Sequence, residues 1–299
     1  MRNEDFIGVS PSQLDAMSCR LSWHLGYRLG YRSRRLNPAL DLGTGIHAGL
    51  EAFYEDKSVS PVDTFMAWCQ QRKAELDPQW EDDLNEMVKL ETLGEAMLHG
   101  YVEHYGDDPD LEVIATEHTL VKRIPIPEHT ELSRYTITAR LDGIVRDANT
   151  GKLFSLEHKT YGRLNTKHFD LDHQFTAQVW LGQDLAKTLG LDEPVIGVIY
   201  NGLRKQIPSS RVKDALFFRE KIYRNQSQID RFLHRAYWQC RDMSSKTVKI
   251  YPQPNPIRCG GCAFREVCIA WQRGEDYQFL LDQCFISRAD RDAAAPEEE

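Results

Sequence analysis

The sequence predicts an α/β fold, and three observations support this prediction. The first hundred residues carry apolar side chains at helical spacing, with turn residues between the periodic stretches. Three segments rich in β-branched and aromatic residues follow, again separated by turn residues. A further helical stretch leads into a short apolar run, which is typical of a helix that connects two strands of one sheet. At 299 residues the chain can bury a substantial core.

Four helices are predicted in the N-terminal part of the chain. Ser10 or Ser12 is suited to cap the first of them, and Pro11 lies near its first turn. Its apolar residues recur at helical spacing: Leu14, Met17, Leu21 and Leu25. The predicted helices cover residues 10–31, 41–56, 61–75 and 80–105.

Strands are predicted in the next part of the chain, where β-branched and aromatic residues dominate. The sequence DANTGK separates the last two of three consecutive strands and is typical of a hairpin connection. A helix ending before Gly190 follows, and then a buried strand. The predicted order is strands at 111–126, 133–147 and 152–160, a helix at 173–189, strands at 194–203 and 215–224, and a helix at 225–243. This order predicts a single α/β domain.

Charge and hydropathy exclude some classes of function. The net charge of −8 argues against a protein that coats nucleic acid through bulk positive charge, although basic side chains are clustered between Arg20 and Arg35. No stretch approaches 18 consecutive apolar residues, so no membrane-spanning helix and no membrane partner are predicted. The N-terminus lacks the apolar segment of a secretion signal, and we therefore expect a cytoplasmic protein.

Asp142, Glu157 and Lys159 are predicted to meet at the ends of two neighbouring strands. Glu157 and Lys159 are two residues apart on one strand, so their side chains point to the same face. Antiparallel pairing across the turn at 148–151 brings Asp142 alongside Glu157. Two close carboxylates favour a cation between them, and Mg²⁺ or Mn²⁺ prefers such ligands. With Lys159 to orient or deprotonate a metal-bound water, the pattern indicates metal-assisted phosphodiester hydrolysis.

Two further residues are candidates for the same site. His47, in GTGIHAGLE on a predicted helix, could complete a metal shell that favours Mn²⁺. Gln174, near the start of the helix after the Lys159 strand, could hydrogen-bond a nucleic-acid backbone or base. Taken alone, a helical histidine is more often a surface or core residue, and an exposed helical glutamine is usually a solubilising one.

Seven cysteines in a chain without a secretion signal indicate metal or cluster ligation rather than a disulfide framework. Cys259, Cys262 and Cys268 fall within the short stretch RCGGCAFREVC and require a fourth ligand. Structural zinc and an iron–sulfur cluster are both compatible with this spacing. Three isolated cysteines are expected to be ordinary thiols, buried or partly buried: Cys69, Cys240 and Cys284.

The order of these motifs resembles the PD-(D/E)xK nuclease superfamily in its RecB-like exonuclease branch. Asp142, then Glu157-x-Lys159, then a helix that begins with Gln174 match the branch, and GTGIHAGLE is similar to its helical element with a metal-binding histidine. The branch's Gln-x-x-x-Tyr motif has Gln178 in place of the tyrosine. The resemblance implies a restriction-endonuclease-like core, a central mixed β-sheet flanked by helices.

The resemblance also implies roles for individual residues. Asp142 and Glu157 would hold the metal with His47 as an additional ligand, and Glu117 on the preceding strand would be a supporting residue or a weak ligand candidate. The residues with catalytic roles would be Asp142, Glu157, Lys159 and Gln174. Candidates for contact with DNA are Arg20, Tyr27, Tyr161 and Gln178.

The cysteines resemble those of one group within the branch, which includes the AddB nuclease domain, CRISPR-associated exonucleases and related phage nucleases. That group carries a [4Fe–4S] cluster on one N-terminal and three C-terminal cysteines. The stretch SPSQLDAMSCRLSWHLGY supplies Cys19 as the N-terminal ligand, with Arg20 in place of the usual proline. The resemblance therefore implies a cluster on Cys19, Cys259, Cys262 and Cys268, although spacing alone does not separate it from zinc.

These expectations define one nuclease domain over residues 1–286. Its parts are a mainly helical segment at 1–105, an α/β catalytic core at 106–245 and a cluster-binding segment at 246–286. Residues 287–299 are rich in acidic side chains, and we expect them to form a disordered tail.

The function expected from the sequence is a Mg²⁺- or Mn²⁺-dependent DNA exonuclease that favours single strands or DNA ends and is stabilised by the cluster. No GxxxxGK[ST] motif is present, so a helicase or recombination protein would be a partner that unwinds DNA. A homo-oligomer is a further possibility. If the chain is encoded by a phage, we expect it to act in the host cytoplasm. The alternative is a catalytically silent DNA-binding or assembly module with a structural cluster. A redox or iron sensor ranks last because it leaves Glu157 and Lys159 unexplained.

Overall fold

A computed structural model describes residues 6–209 and 215–290 of the chain. The chain divides into two compact units. The first, which we call the core unit, is formed by Met1–Pro11 and Pro38–Tyr237. The second, the cysteine unit, is formed by Ser12–Asn37 and Trp238–Glu299. The prediction of one domain over 1–286 stays a prediction, and residues 291–299 of the expected acidic tail lie outside the described part of the chain.

Three long helices form the N-terminal part of the core unit: α3 (Pro38–Glu55), α4 (Pro61–Glu75) and α5 (Glu81–Tyr105). These segments form helices that pack on the core because their apolar residues recur at helical spacing. In α3, for example, Ile46, Leu50 and Phe53 form one buried stripe. Ser60 caps α4 and accepts a hydrogen bond from the backbone N–H of Asp63 at 3.2 Å. The predictions at 61–75 and 80–105 are confirmed within a residue.

The central sheet of the core unit has six strands: β1 (Ile7–Val9), β3 (Leu111–Pro125), β4 (Leu132–Asp147), β5 (Leu153–Tyr161), β6 (Val195–Arg204) and β7 (Phe217–Tyr223). β3 pairs with β4 in an antiparallel ladder, and β4, β5, β6 and β7 follow in that order. β5 and β6 are parallel because α6 (His173–Thr188) connects them. The sheet is therefore mixed, as predicted.

β4 is longer than its neighbours, and this leaves an opening in the sheet. The parallel partner β1 pairs with Tyr135–Ile137 of β4. β5 pairs with Gly143–Arg146 of the same strand. The stretch of β4 at 138–142 lies between these two ladders. Asp142 is the last residue of this stretch and thus lies at the sheet opening.

Helices cover both faces of the sheet in the core unit. α6 packs against β4, β5 and β6, while α3 packs against β3 and β5. Successive side chains of β5 point to opposite faces of the sheet. Glu157 points to the face covered by α6, where it contacts two glutamines. His158 points to the face covered by α3, where its ring lies 5.3 Å from that of Tyr54, measured between centroids. The predicted α/β class, with a central mixed sheet flanked by helices, is confirmed.

The cysteine unit contains the elements that the sequence predicts least well. The helix expected at 10–31 is interrupted: α1 (Pro11–Ala16) and α2 (Arg20–Trp23) are separate, and a π-helical turn follows at His24–Arg28. The break lies at Cys19, whose backbone is extended with φ −129° and ψ 103°.

One small sheet and four helices make up most of the rest of the described chain. The strands β2 (Arg32–Ser33) and β8 (Phe285–Ile286) form a two-stranded antiparallel sheet in the cysteine unit. The remaining helices are α7 (Gln226–Ser244), α8 (Pro256–Gly260), α9 (Arg265–Arg273) and α10 (Tyr277–Cys284). No helix in the described ranges is long and apolar enough to cross a membrane.

Candidate active site and cysteine site

Asp142 and Glu157 lie where β4 and β5 separate. The last pair of the ladder between these strands joins Gly143 and Leu156, and Asp142 and Glu157 come one position beyond it. The Asp142 carboxylate turns towards β5, where its Oδ2 accepts a hydrogen bond from the backbone N–H of His158 at 2.7 Å. Both carboxylates therefore lie directly beyond the last ladder pair, where the two strands separate.

The Glu157 carboxylate is buried and held by three side chains. Its side chain is only 2% exposed and forms an ion pair with Lys159. Oε1 accepts a hydrogen bond from Gln174 Nε2 at 2.7 Å, and Oε2 accepts one from Gln178 Nε2. Burial raises the pKa of Glu157, because loss of hydration outweighs the attraction of the Lys159 ammonium.

Lys159 is held as a cation beside Glu157. Burial acts to lower the pKa of Lys159, but the charge and hydrogen bond of the Glu157 carboxylate prevail, and the pKa is raised. The Lys159 ammonium also donates to Gln174 Oε1 at 3.3 Å. Gln174 is fixed by the first turn of α6, where Asp172 caps the helix and accepts a hydrogen bond from the Gln174 N–H at 2.8 Å. One amide therefore aligns both members of the ion pair.

His47 reaches Asp142 from α3. Its Nδ1 lies 3.3 Å from Asp142 Oδ1. Burial opposes the charged form of each partner, but the hydrogen bond and the opposite charge of the other partner prevail. The pKa of His47 is consequently raised and that of Asp142 is lowered.

A cavity of about 640 Å³, which we call the substrate cavity, opens onto these residues. His47, Asp142 and Lys159 line it together with side chains from other segments: Glu51, Trp68, Glu117, Arg140 and Lys205. The register of β3 and β4 sets Glu117 directly opposite Asp142. Arg140 forms ion pairs with Glu117 and Glu51, so it compensates the charge of both carboxylates.

The donor set around the substrate cavity suits a hard divalent cation, because it combines carboxylate oxygens with an imidazole. The side chains that could hold such an ion are His47, Asp142 and Glu157. Across residues 6–209 and 215–290, however, no three His, Cys, Asp or Glu side chains are arranged to hold one metal ion. The pairing explains this, since Glu157 is turned to Lys159 while Asp142 is turned to His47. A cation at this site would compete with Lys159 for Glu157.

A network of buried polar side chains lies on the other face of β5: His158, Asn201, Tyr101, Tyr54, Asp108 and Arg219. Arg219 binds both oxygens of the Asp108 carboxylate, at 2.8 and 2.9 Å. Asn201 donates to the Tyr101 hydroxyl and contacts His158 Nδ1, at 2.7 and 2.8 Å. Burial lowers the pKa of His158 to about 3, so this imidazole is neutral. The network thereby ties α3 and α5 to the strand that carries Glu157 and Lys159.

In the cysteine unit, Cys19, Cys259, Cys262 and Cys268 line one cavity of about 210 Å³. N–H groups point at three of the sulfurs. The backbone N–H of Gln253 donates to Cys19 Sγ at 3.5 Å, and that of Asn255 donates to Cys259 Sγ at 3.3 Å. The Gln272 side chain donates to Cys268 Sγ at 3.4 Å. Cys284 does not line this cavity.

The residues that the sequence suggested for contact with DNA do not line the substrate cavity. Gln178 is buried and donates to Glu157, so its amide faces the carboxylate rather than the surface. Tyr161 lines a separate cavity with Arg163 and Arg204. Arg20 and Tyr27 belong to the cysteine unit, where Arg20 forms an ion pair with Asp242 at 3.5 Å and Tyr27 lies beneath Arg32.

The sequence alone does not single out Trp68, Arg140 or Lys205 as residues of this site. These side chains reach the substrate cavity from segments that are distant in sequence. The spacing of residues along the chain does not predict that α4 and the end of β6 contribute to the same cavity. The one available signal is the GTG stretch of α3, because Gly45 leaves the space in which the Trp68 ring lies.

Comparison with protein families gives one match. The model of the PD-(D/E)XK nuclease superfamily matches residues 8–269. This span includes the central sheet apart from Ile7 of β1, and it includes Asp142, Glu157 and Lys159 and the four cysteines of the 210 Å³ cavity. No curated protein matches the chain.

Proposed function

Because the chain belongs to the PD-(D/E)XK nuclease superfamily, we propose that it is a Mg²⁺- or Mn²⁺-dependent DNA exonuclease of the RecB-like branch. One observation carries the proposal: Glu157, Lys159 and Gln174 are aligned with one another at the open end of the β4–β5 ladder, beside the Asp142–His47 pair. Such an arrangement supplies metal ligands and a cation at one point.

The residues divide the chemistry among them. Asp142, Glu157 and His47 would hold the metal, and a metal bound there would supply the Lewis acid that polarises a phosphate and lowers the pKa of a water. Lys159 would orient that water and stabilise the negative charge that develops on the phosphate. Gln174 positions Lys159 and Glu157, and Gln178 positions Glu157 from the buried side.

The nuclease proposal is tested with end-labelled single- and double-stranded DNA in the presence of Mg²⁺, Mn²⁺ or EDTA. We expect metal-dependent release of label that is lost in Asp142→Asn. Asp192→Asn is the control, because Asp192 is an exposed carboxylate outside the substrate cavity. Equal activity of wild type and Asp142→Asn would contradict the assignment. DNA binding without cleavage by a folded wild-type protein would favour the silent DNA-binding module.

We also propose that Cys19, Cys259, Cys262 and Cys268 hold a [4Fe–4S] cluster. Support comes from the convergence of Cys19 with three C-terminal cysteines that are far from it in sequence, and from the N–H groups directed at three of the sulfurs. A zinc ion would draw the sulfurs to about 3.8 Å from each other, given Zn–S bonds of about 2.3 Å. A cluster keeps them further apart because each cysteine binds a different iron. Zinc and a cluster therefore differ in the spacing that they impose on the four sulfurs.

The cluster proposal is tested on protein purified without oxygen. We expect about four iron and four sulfide per chain, with loss of both in Cys268→Ser. Cys284→Ser is the matched control, since Cys284 is close in sequence but outside the cavity. Zinc in place of iron, or full iron content in Cys268→Ser, would contradict the proposal.

The proposed substrate is DNA, at single strands or ends, because the substrate cavity combines a metal-binding pair with the cationic side chains Lys159 and Lys205. A helicase or recombination protein would supply unwinding. Co-purification of such a protein with the tagged chain from the source cell tests this partner.

A further inference from the structure

The substrate cavity has a wall that the metal chemistry does not use. Trp68 on α4 lines this wall and is half-buried. Its ring stacks on Phe65 with a centroid distance of 6.4 Å and an interplanar angle of 21°. On α3, a Cβ at Gly45 would come within 2.6 Å of Trp68 Cε3. The indole is therefore held in a fixed orientation at the cavity wall.

Cationic groups line the same cavity. Lys159 contributes one, and Lys205, which follows β6, contributes another. Burial lowers the pKa of Lys205, which reflects an ammonium that has lost hydration and would gain from contact with an anion. A rigid aromatic ring beside ammonium groups is the combination that binds single-stranded nucleic acid, where bases stack and phosphates pair with cations.

On this basis we propose that Trp68 stacks on the nucleobase next to the scissile phosphate, so that the site selects unpaired nucleotides. This inference rests on the proposed nuclease function and extends it to the choice of substrate. In the interior of a duplex both faces of a base are covered by its neighbours. A base that is unpaired or at a frayed end can turn a face to the indole. The cavity, at about 640 Å³, falls in the size range of sites that bind small ligands.

The test measures binding of fluorescent oligodeoxythymidine by anisotropy in the Asp142→Asn background, which prevents cleavage. Trp68→Leu is expected to weaken binding by about 5- to 100-fold, the range for loss of one stacked base. Trp68→Phe keeps an aromatic face and is expected to stay within about threefold of the parent. The matched control is Trp238→Leu, since Trp238 is exposed and lies outside the cavity.

A change in the DNA provides an independent arm that needs no new variant. Oligonucleotides with one abasic position, at the 5′ end or at the 3′ end, are compared with the intact strand. We expect one of the two to lose affinity as Trp68→Leu does, and we expect Trp68→Leu to cause no further loss on that strand. Equal affinity of the parent protein for all three strands would overturn the inference even if Trp68→Leu were poorly folded. For a folded Trp68→Leu, full additivity of the two losses would overturn it as well.

Parallel cleavage assays separate this inference from the nuclease proposal. If wild type degrades DNA and Trp68→Leu binds like Trp238→Leu, only the stacking inference fails. If binding depends on Trp68 and on the base but wild type never cleaves, only the catalytic proposal fails. If folded wild-type protein does not bind the oligonucleotide, both fail.

Discussion

Replacement of Arg219 by Met is expected to destabilise the core unit strongly. The Arg219 side chain is 14% exposed, and the Asp108 side chain is 1% exposed. The guanidinium binds both oxygens of Asp108 and also donates to Asn201 and Tyr101. Arg219→Met removes these donors and leaves a buried carboxylate that keeps the Tyr54 hydroxyl as a partner. Removal of one partner from a buried ion pair costs about 3–5 kcal/mol of unfolding free energy.

Thermal and urea unfolding measure this cost. For a unit of this size, about 3–5 kcal/mol corresponds to a decrease in Tm of roughly 6–20 °C. Lys89→Met is the matched control, because Lys89 pairs with Glu86 on α5 but its side chain is 72% exposed. An exposed pair of this kind contributes about 0–1 kcal/mol.

A double-variant cycle makes the test sharper. Asp108→Leu combined with Arg219→Met is expected to cost less than the sum of the single variants, because no unpaired charge stays buried. A stabilising role of the buried pair is excluded if Arg219→Met destabilises the protein no more than Lys89→Met, or if the effects of Arg219→Met and Asp108→Leu are additive.

Three further predictions concern packing, thiol reactivity and charge. Gly94→Ala would set a Cβ 2.1 Å from Phe65 Cζ and is expected to lower unfolding free energy by about 1–3 kcal/mol, with partial recovery by Phe65→Leu in calorimetry. Burial raises the pKa of Cys69 and of Cys240 to about 12, so iodoacetamide at pH 8 should modify neither until the protein unfolds; rapid labelling of the native protein, read by mass spectrometry, would contradict this. Lys205→Ala should reduce the slope of log Kd against log salt for single-stranded DNA by about 0.7, and an unchanged slope would remove Lys205 from the phosphate contacts.

Most of the core unit was predictable from sequence because its elements are long and periodic. The helices at 61–75 and 80–105 and the strands around the 148–151 turn were each predicted within one or two residues. The helix at 10–31 was predicted wrongly, since its apolar spacing continues through Cys19 while the backbone does not. Cysteine provides no capping oxygen, so no residue there signals the break.

The site was predictable where alternation along a strand decides the geometry. The common face of Glu157 and Lys159 follows from their spacing, and the structure has them paired. The inward direction of Gln178 was not predictable, because it depends on which face of α6 meets the sheet. The same holds for Trp68 and Lys205, which reach the cavity only through packing of α4 and the end of β6.

In the proposed mechanism, Lys159 acts on the phosphate beside a metal that its neighbours would hold. The most direct test is the single-turnover rate of DNA cleavage by Lys159→Met at saturating Mn²⁺, with Lys152→Met as a control in the exposed turn before β5. We predict a decrease of about 100- to 10,000-fold for Lys159→Met with Mn²⁺ still bound, and no decrease for the control. A Lys159→Met rate within about threefold of wild type would contradict this role of Lys159.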